Sequence, residues 1–114
     1  MTTIYHNPRC SKSRETLALL EAKGITPEIV RYLETPPSAA QIKTLLRQLG
    51  LSARALLRTG EEAYKTLNLA DTGLSEQALI DAMAAHPKLI QRPIVVHGSK
   101  AAMGRPPEAV LELF

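Results

Sequence analysis

The stretch "TIYHNPRCSKSRETLALLEAKGITPEIVRYL", residues 3–33, decides the fold. It opens with a short β-type run, Thr3–His6, closed by Asn7-Pro8, a pair that breaks regular structure. The pattern then predicts a helix from about Ser11 to Lys23, with Leu17 and Leu20 three apart on its inner face. Gly24 suits the position just past the helix end, and Pro27 prevents continuation. "EIVRYL", Glu28–Leu33, reads as a second strand from which Ile29, Val30 and Tyr32 reach a core. Strand, helix and strand within so short a span make a βαβ unit with a parallel pair.

The middle of the chain reads as helical. "PPSAAQIKTLLRQLG" supplies a capping box, Ser38 with Gln41, then Ile42, Leu45, Leu46 and Leu49 on one face, then Gly50. Shorter helices are expected over about Ser52–Arg58 and Glu61–Leu67. Another starts at Ser75, stapled by Leu74 and Leu79, and ends before Pro87. Pro93–His97, "PIVVH", then reads as a buried strand, Gly98-Ser99 as a two-residue turn, and Lys100–Met103 as the returning strand of a hairpin. Gly104 breaks the pattern, and Pro106-Pro107 opens a terminal helix carrying Val110, Leu111 and Leu113. The order β-α-β, helical block, β-β-α contains no linker or repeat. With 114 residues it implies one α/β domain, residues 1–114.

Composition narrows the function. Apolar residues make up 45% and charged residues 22%, an ordinary balance for a globular protein, and no apolar run approaches a membrane span. The start "MTTIYHN" has no signal-peptide pattern, so a cytoplasmic location is expected. A net charge of +3, spread without a basic run and with one Phe and no Trp, argues against nucleic acid. A small anionic substrate would use that charge better.

Cys10 is the only cysteine. A lone cysteine often fills a core as a small hydrophobe. This one follows a strand end and a turn, which puts it at a helix N-terminus, where unpaired amides carry partial positive charge. Arg9, Arg14 and His6 stand near it in the sequence and would further favour a thiolate, so a reactive, accessible thiol is expected. The same amides bind oxyanions, and arginines supply planar, permanently charged donors for them. Arg58, Arg92 and Arg105 lie at ends of predicted elements, where sites tend to be built.

Spacing removes two thiol chemistries. A phosphatase-type loop needs an arginine six positions after its cysteine, where this chain has Thr16. A dithiol oxidoreductase needs Cys-x-x-Cys, and the fourth position is Ser13. A redox cycle must therefore take its second thiol from outside, most simply from glutathione. His6, His86 and His97 are isolated and give Cys10 no metal-ligand spacing, so no metal and no bound cofactor are expected.

At these residues the chain resembles the glutaredoxin-linked arsenate reductase family. "YHNPRCSKSRETL", "ALLRTGEEAY", "LIQRPIVV" and "GRPPEAVLELF" look like its four blocks, and together they span nearly the whole chain. The resemblance implies a thioredoxin/glutaredoxin-like fold with a helical insertion between its halves. It implies that Cys10 is the nucleophile, that His6 and Ser13 tune or orient its thiolate, and that Arg58, Arg92 and Arg105 hold the oxyanion. It implies an oxidoreductase that converts arsenate to arsenite, with glutathione as co-substrate and glutaredoxin as partner. It also places Pro93 where thioredoxin-like proteins carry a cis-proline facing the nucleophile, so the Arg92–Pro93 bond is expected to be cis. Two other functions fit the same fold. One is a glutathione-dependent thiol reductase or glutathione-binding protein without arsenate activity. The other is an RNA polymerase-binding regulator, many of which carry the Cys-x-x-Cys that Ser13 denies here.

Overall fold

The computed structural model describes all 114 residues. They form two compact units, one from Met1–Thr35 with Arg92–Phe114, the other from Pro36–Gln91. The second therefore interrupts the first in sequence, as a helical insertion does.

The first unit is built on a four-stranded sheet in the order β2-β1-β3-β4. Its strands are β1 (Thr2–Tyr5), β2 (Glu28–Val30), β3 (Ile94–His97) and β4 (Lys100–Met103). β1 pairs in parallel with β2 across helix α1 (Ser11–Ala22) and antiparallel with β3, and β3 turns back into β4. Gly98, at φ +61, makes that turn in the left-handed region open to glycine. In register, Ile4 faces Val95 and Val95 faces Ala102, so one face of the sheet is apolar. Ile4, Val95, Leu20 of α1 and Val110 of the C-terminal segment form the core, flanked by Leu17, Ile25, Ala102 and Leu113. This β-α-β then β-β-α arrangement is the thioredoxin-like fold.

Several boundaries differ from the sequence reading. β2 stops at Val30, and Ile29, though in register with Ile4, lies on the outer edge strand and stays 47% exposed. Tyr32 is buried as expected, but from the turn that follows β2 rather than from a strand. Pro93 precedes β3 rather than opening it. The terminal segment Pro107–Leu113 is a 3-10 helix rather than an α-helix.

The second unit contains α2 (Ala39–Leu49), α3 (Ala53–Leu56), α4 (Glu62–Thr66), α5 (Glu76–Ala85) and a 3-10 turn at Pro87–Leu89. α2 and α3 both pack on α5. α2 follows its sequence closely. Ser38 Oγ accepts from the Gln41 amide, Gln41 Oε1 accepts from the Ser38 amide, and Ile42, Leu45 and Leu46 are buried. Gly50 closes it in the left-handed conformation. α3 is shorter than expected, because Leu57 leaves the helix to form an isolated bridge with Ile90. Glu76 ties the unit together by accepting from the Ala53 amide at 2.7 Å. No helix of the chain is long and apolar enough to cross a membrane.

Candidate active site

Cys10 is the N-cap of α1, with the extended backbone that such a residue needs. The turn before it is fixed by two bonds: the Cys10 amide donates to Asn7 O, and the Arg9 amide donates to Asn7 Oδ1. The thiol is 8% exposed, more buried than an accessible nucleophile was expected to be.

Its titration is a contest. Burial opposes the charged form and is the largest single influence. Against it act the Ser13 amide, the Arg92 guanidinium, the Lys12 amide and the Ser13 hydroxyl, and together they hold the thiol below its ordinary value. The neutral side chain forms no capping hydrogen bond within the first turn of the helix. Those two amides face the sulfur as donors that gain strength once it is ionised.

The charge that lowers the thiol comes from 82 positions away, not from its sequence neighbours. Arg14 is exposed and turns back to donate to Pro8 O at 3.0 Å, and Arg9 is exposed at the turn. Neither is among the groups that move Cys10. His6 is 6% exposed, and burial, with the nearby Arg31 and Arg14 charges, lowers its pKa, which leaves it neutral at pH 7. Its buried Nδ1 has no hydrogen-bond partner. Ser13 is fully buried, and its hydroxyl accepts from the Asn7 amide at 3.4 Å.

Two arginines converge on the thiol from the far end of the chain. Arg105 donates from Nε to Arg92 O at 2.8 Å and brings Nη2 to 3.9 Å from Cys10 Sγ. The Arg92 Nε and Nη1 atoms are buried and unpartnered. Buried guanidinium nitrogens without acceptors are costly, and a group in that state is ready to receive an anion. The Arg92–Pro93 bond is cis, as expected, and the Arg105–Pro106 bond is also cis, which the sequence reading did not anticipate.

Arg58 belongs to the second unit. It does not end a helix: it follows the Leu57 bridge, its amide donates to Leu89 O at 2.8 Å, and its Nη1 lies 3.6 Å from Glu61 Oε1. Two residues to which the sequence assigns no functional role meet here, Thr16 on α1 and Gly104 just after β4. Thr16 is buried and donates to Lys12 O at 2.7 Å, while the backbone of Gly104 passes close to it and to Pro93. No group of three or more His, Cys, Asp or Glu side chains could hold a metal ion.

A thioredoxin-like sheet that carries a single cysteine at the start of its first helix defines the class. The family model for the ArsC family matches residues 5–113, and the chain belongs to that family. It is 63% identical over 111 residues to the uncharacterized protein YfgD of Escherichia coli, covering 96% of this chain and 93% of that protein. It is 52% identical over 112 residues to an arsenate reductase of Haemophilus influenzae, covering 97% of each. Among solved structures, an arsenate reductase from Vibrio cholerae superposes with a TM-score of 0.97 at 60% identity, covering 99% of this chain and 97% of that one.

Proposed function

We propose that this chain is an oxidoreductase that reduces arsenate to arsenite, with Cys10 as nucleophile and glutathione and glutaredoxin as the source of electrons. The single observation that carries the reading is the pair of unpartnered Arg92 nitrogens beside a thiol whose pKa is lowered. A thiolate and a guanidinium with two buried nitrogens that have no protein acceptor together suit a tetrahedral oxyanion. The relatives named as arsenate reductases support arsenate as that anion.

The chemistry follows from the residues. The Cys10 thiolate attacks arsenic and an arsenate oxygen leaves as water once protonated, giving a sulfur–arsenic bond. Arg92 and Arg105 offset the charge on the remaining oxygens, and the Lys12 and Ser13 amides hold the sulfur in line. The glutathione thiolate then attacks the Cys10 sulfur. A disulfide forms, the sulfur–arsenic bond breaks, and its electron pair passes to arsenic, which leaves as arsenite. A glutaredoxin thiolate takes up the glutathione and returns Cys10 as thiolate. Ser13 orients the sulfur, while buried, neutral His6 adds no charge to it.

Arsenite release from arsenate, measured with glutathione and glutaredoxin in wild type and Cys10→Ser, tests the reading. Multiple turnovers lost completely in Cys10→Ser are expected. No arsenite from wild type, with Cys10 still exchanging disulfides with glutathione, would replace arsenate reduction with a plain thiol reductase.

A further inference from the structure

We propose that Gly104 is a positioning residue, whose missing side chain lets Arg105 reach the Cys10 sulfur. Gly104 lies outside the left-handed region, so backbone conformation does not demand glycine there. Space does. A β-carbon at this position would stand 2.5 Å from Thr16 Oγ1, 2.7 Å from Pro93 Cγ and 3.2 Å from Pro93 Cδ. None of these walls gives easily. Thr16 is fully buried on α1 with its hydroxyl held by Lys12 O, and Pro93 is a buried ring on the residue before β3. The Gly104 amide donates to Pro93 O at 2.9 Å, so the backbone is drawn in towards those walls rather than merely passing them.

The consequence falls on the next residue. Arg105 leaves this junction to bond Arg92 O and to approach Cys10 Sγ. Relieving a 2.5 Å contact to ordinary van der Waals separation moves the Gly104 backbone outward by about 1 Å, and Arg105 with it. Cys10 sits on α1 and Arg105 at the end of β4. Gly104 against Thr16 is therefore the point where the two halves of the candidate site are set against each other. The inference rests on the proposed role of Arg105 at the thiol, but its test does not depend on arsenate.

Cys10 is the only thiol, so alkylation reads it alone. The rate with iodoacetate divided by the rate with iodoacetamide reports positive charge near the sulfur, since in both reactions the thiolate displaces iodide and only one reagent is an anion. In Arg105→Ala this ratio should fall several-fold. Gly104→Ala should reproduce that fall while the iodoacetamide rate and its pH inflection stay near wild type, because the amides and Arg92 are untouched. In the double variant the ratio should equal that of Arg105→Ala alone, since Gly104 acts through Arg105. An unchanged ratio in Gly104→Ala, an unchanged ratio in Arg105→Ala, or losses that multiply in the double variant would each overturn the proposal. If Gly104→Ala does not fold, Thr16→Val decides. Its methyl thickens the facing wall, so a smaller fall is expected, and no fall overturns the idea. If the ratios behave as expected but wild type releases no arsenite, the substrate reading fails and the positioning role stands.

Discussion

Helices α1 and α2 begin in opposite ways. α2 is closed by its own sequence: Ser38 and Gln41 exchange both bonds of a capping box, and Ile42, Leu45 and Leu46 bury one stripe. α1 begins on Cys10, whose side chain forms no capping bond within the helix, and it turns the polar residues Ser13 and Thr16 inward. The first turn of α2 is satisfied and therefore inert. The first turn of α1 keeps its amides directed at a sulfur, with Arg92 unpartnered nearby. A helix start left incomplete by its own chain can be completed by an anion.

The sharpest way to break this comparison is to remove the unpaired charge beside α1. Arg92→Met keeps most of the side-chain volume and deletes buried nitrogens that have no acceptor. Arsenate turnover should fall by about 10²–10³-fold, the loss typical of one oxyanion donor. The Cys10 pKa, read from the pH dependence of iodoacetamide alkylation, should rise. At a pH where Cys10 is a neutral thiol, urea unfolding should show a protein at least as stable as wild type, because two Arg92 nitrogens are desolvated without an acceptor. A variant that loses stability and keeps turnover would mean that Arg92 is structural.

The converse test is at α2. Ser38→Ala should cost about 1 kcal/mol in urea unfolding, within the usual 0.5–2 range for a lost cap, and leave arsenate turnover unchanged. If turnover fell with stability intact, the division between a stabilising helix start and a reactive one would fail.

The contrast also explains what the sequence disclosed. α2 was legible almost to the residue because a capping box, a 3.6-residue stripe and a terminal glycine all act within one helix. The βαβ unit and the Gly98-Ser99 hairpin were legible for the same local reason. β2 is shorter than its sequence suggests, since a β-rich run alone does not reveal that it is an edge strand only three residues long. α3 is shorter than its sequence suggests because the Leu57–Ile90 bridge that ends it is a contact across 33 positions. At the candidate site, Cys10 at a helix start is readable from its turn, but the sequence offers Arg9, Arg14 and His6 as the charges near it. Sequence proximity misled there: Arg14 bonds Pro8 O, and Arg92 supplies the charge. Gly104 carried a faint signal, a glycine between the hairpin and Arg105, but its reason lies in Thr16 and Pro93, neither adjacent to it.

Stability against pH offers a finer reading of the same difference. The folded thiol titrates below its ordinary value of 9.0, so between the folded and unfolded pKa values the unfolded chain binds more protons. Cys10 therefore adds stability that is fully present above its ordinary value of 9.0 and is lost as pH falls through the folded pKa. His6, lowered from 6.5 by burial and by Arg31 and Arg14, tilts the curve in the same direction at lower pH. The comparison that isolates the thiol is thus wild type minus Cys10→Ser. That difference in urea midpoint should grow with pH and level off above the ordinary thiol value of 9.0. Parallel curves would mean that the thiol is unperturbed in the fold.

The smallest effect belongs to the far end of α2. Arg47 is exposed in the last turn, and no hydrogen bond or ion pair engages its side chain, so its favourable interaction is with the helix C-terminus. Arg47→Ala should change stability by no more than about 0.5 kcal/mol, as expected for a surface site without a special partner. Arsenate turnover and the iodoacetate-to-iodoacetamide ratio should both match wild type. The variant lowers the net charge by one, as Arg92→Met does, so it separates a local charge at the thiol from the overall charge of the protein. If Arg47→Ala weakened turnover as Arg92→Met is expected to, long-range attraction of the anion would account for the arginine effects. The unpaired nitrogens of Arg92 would then have no special part in catalysis. Repeating both variants at raised salt decides the point, since screening at about 0.15 M already limits exposed charges to roughly 8 Å, while a desolvated guanidinium is screened much less.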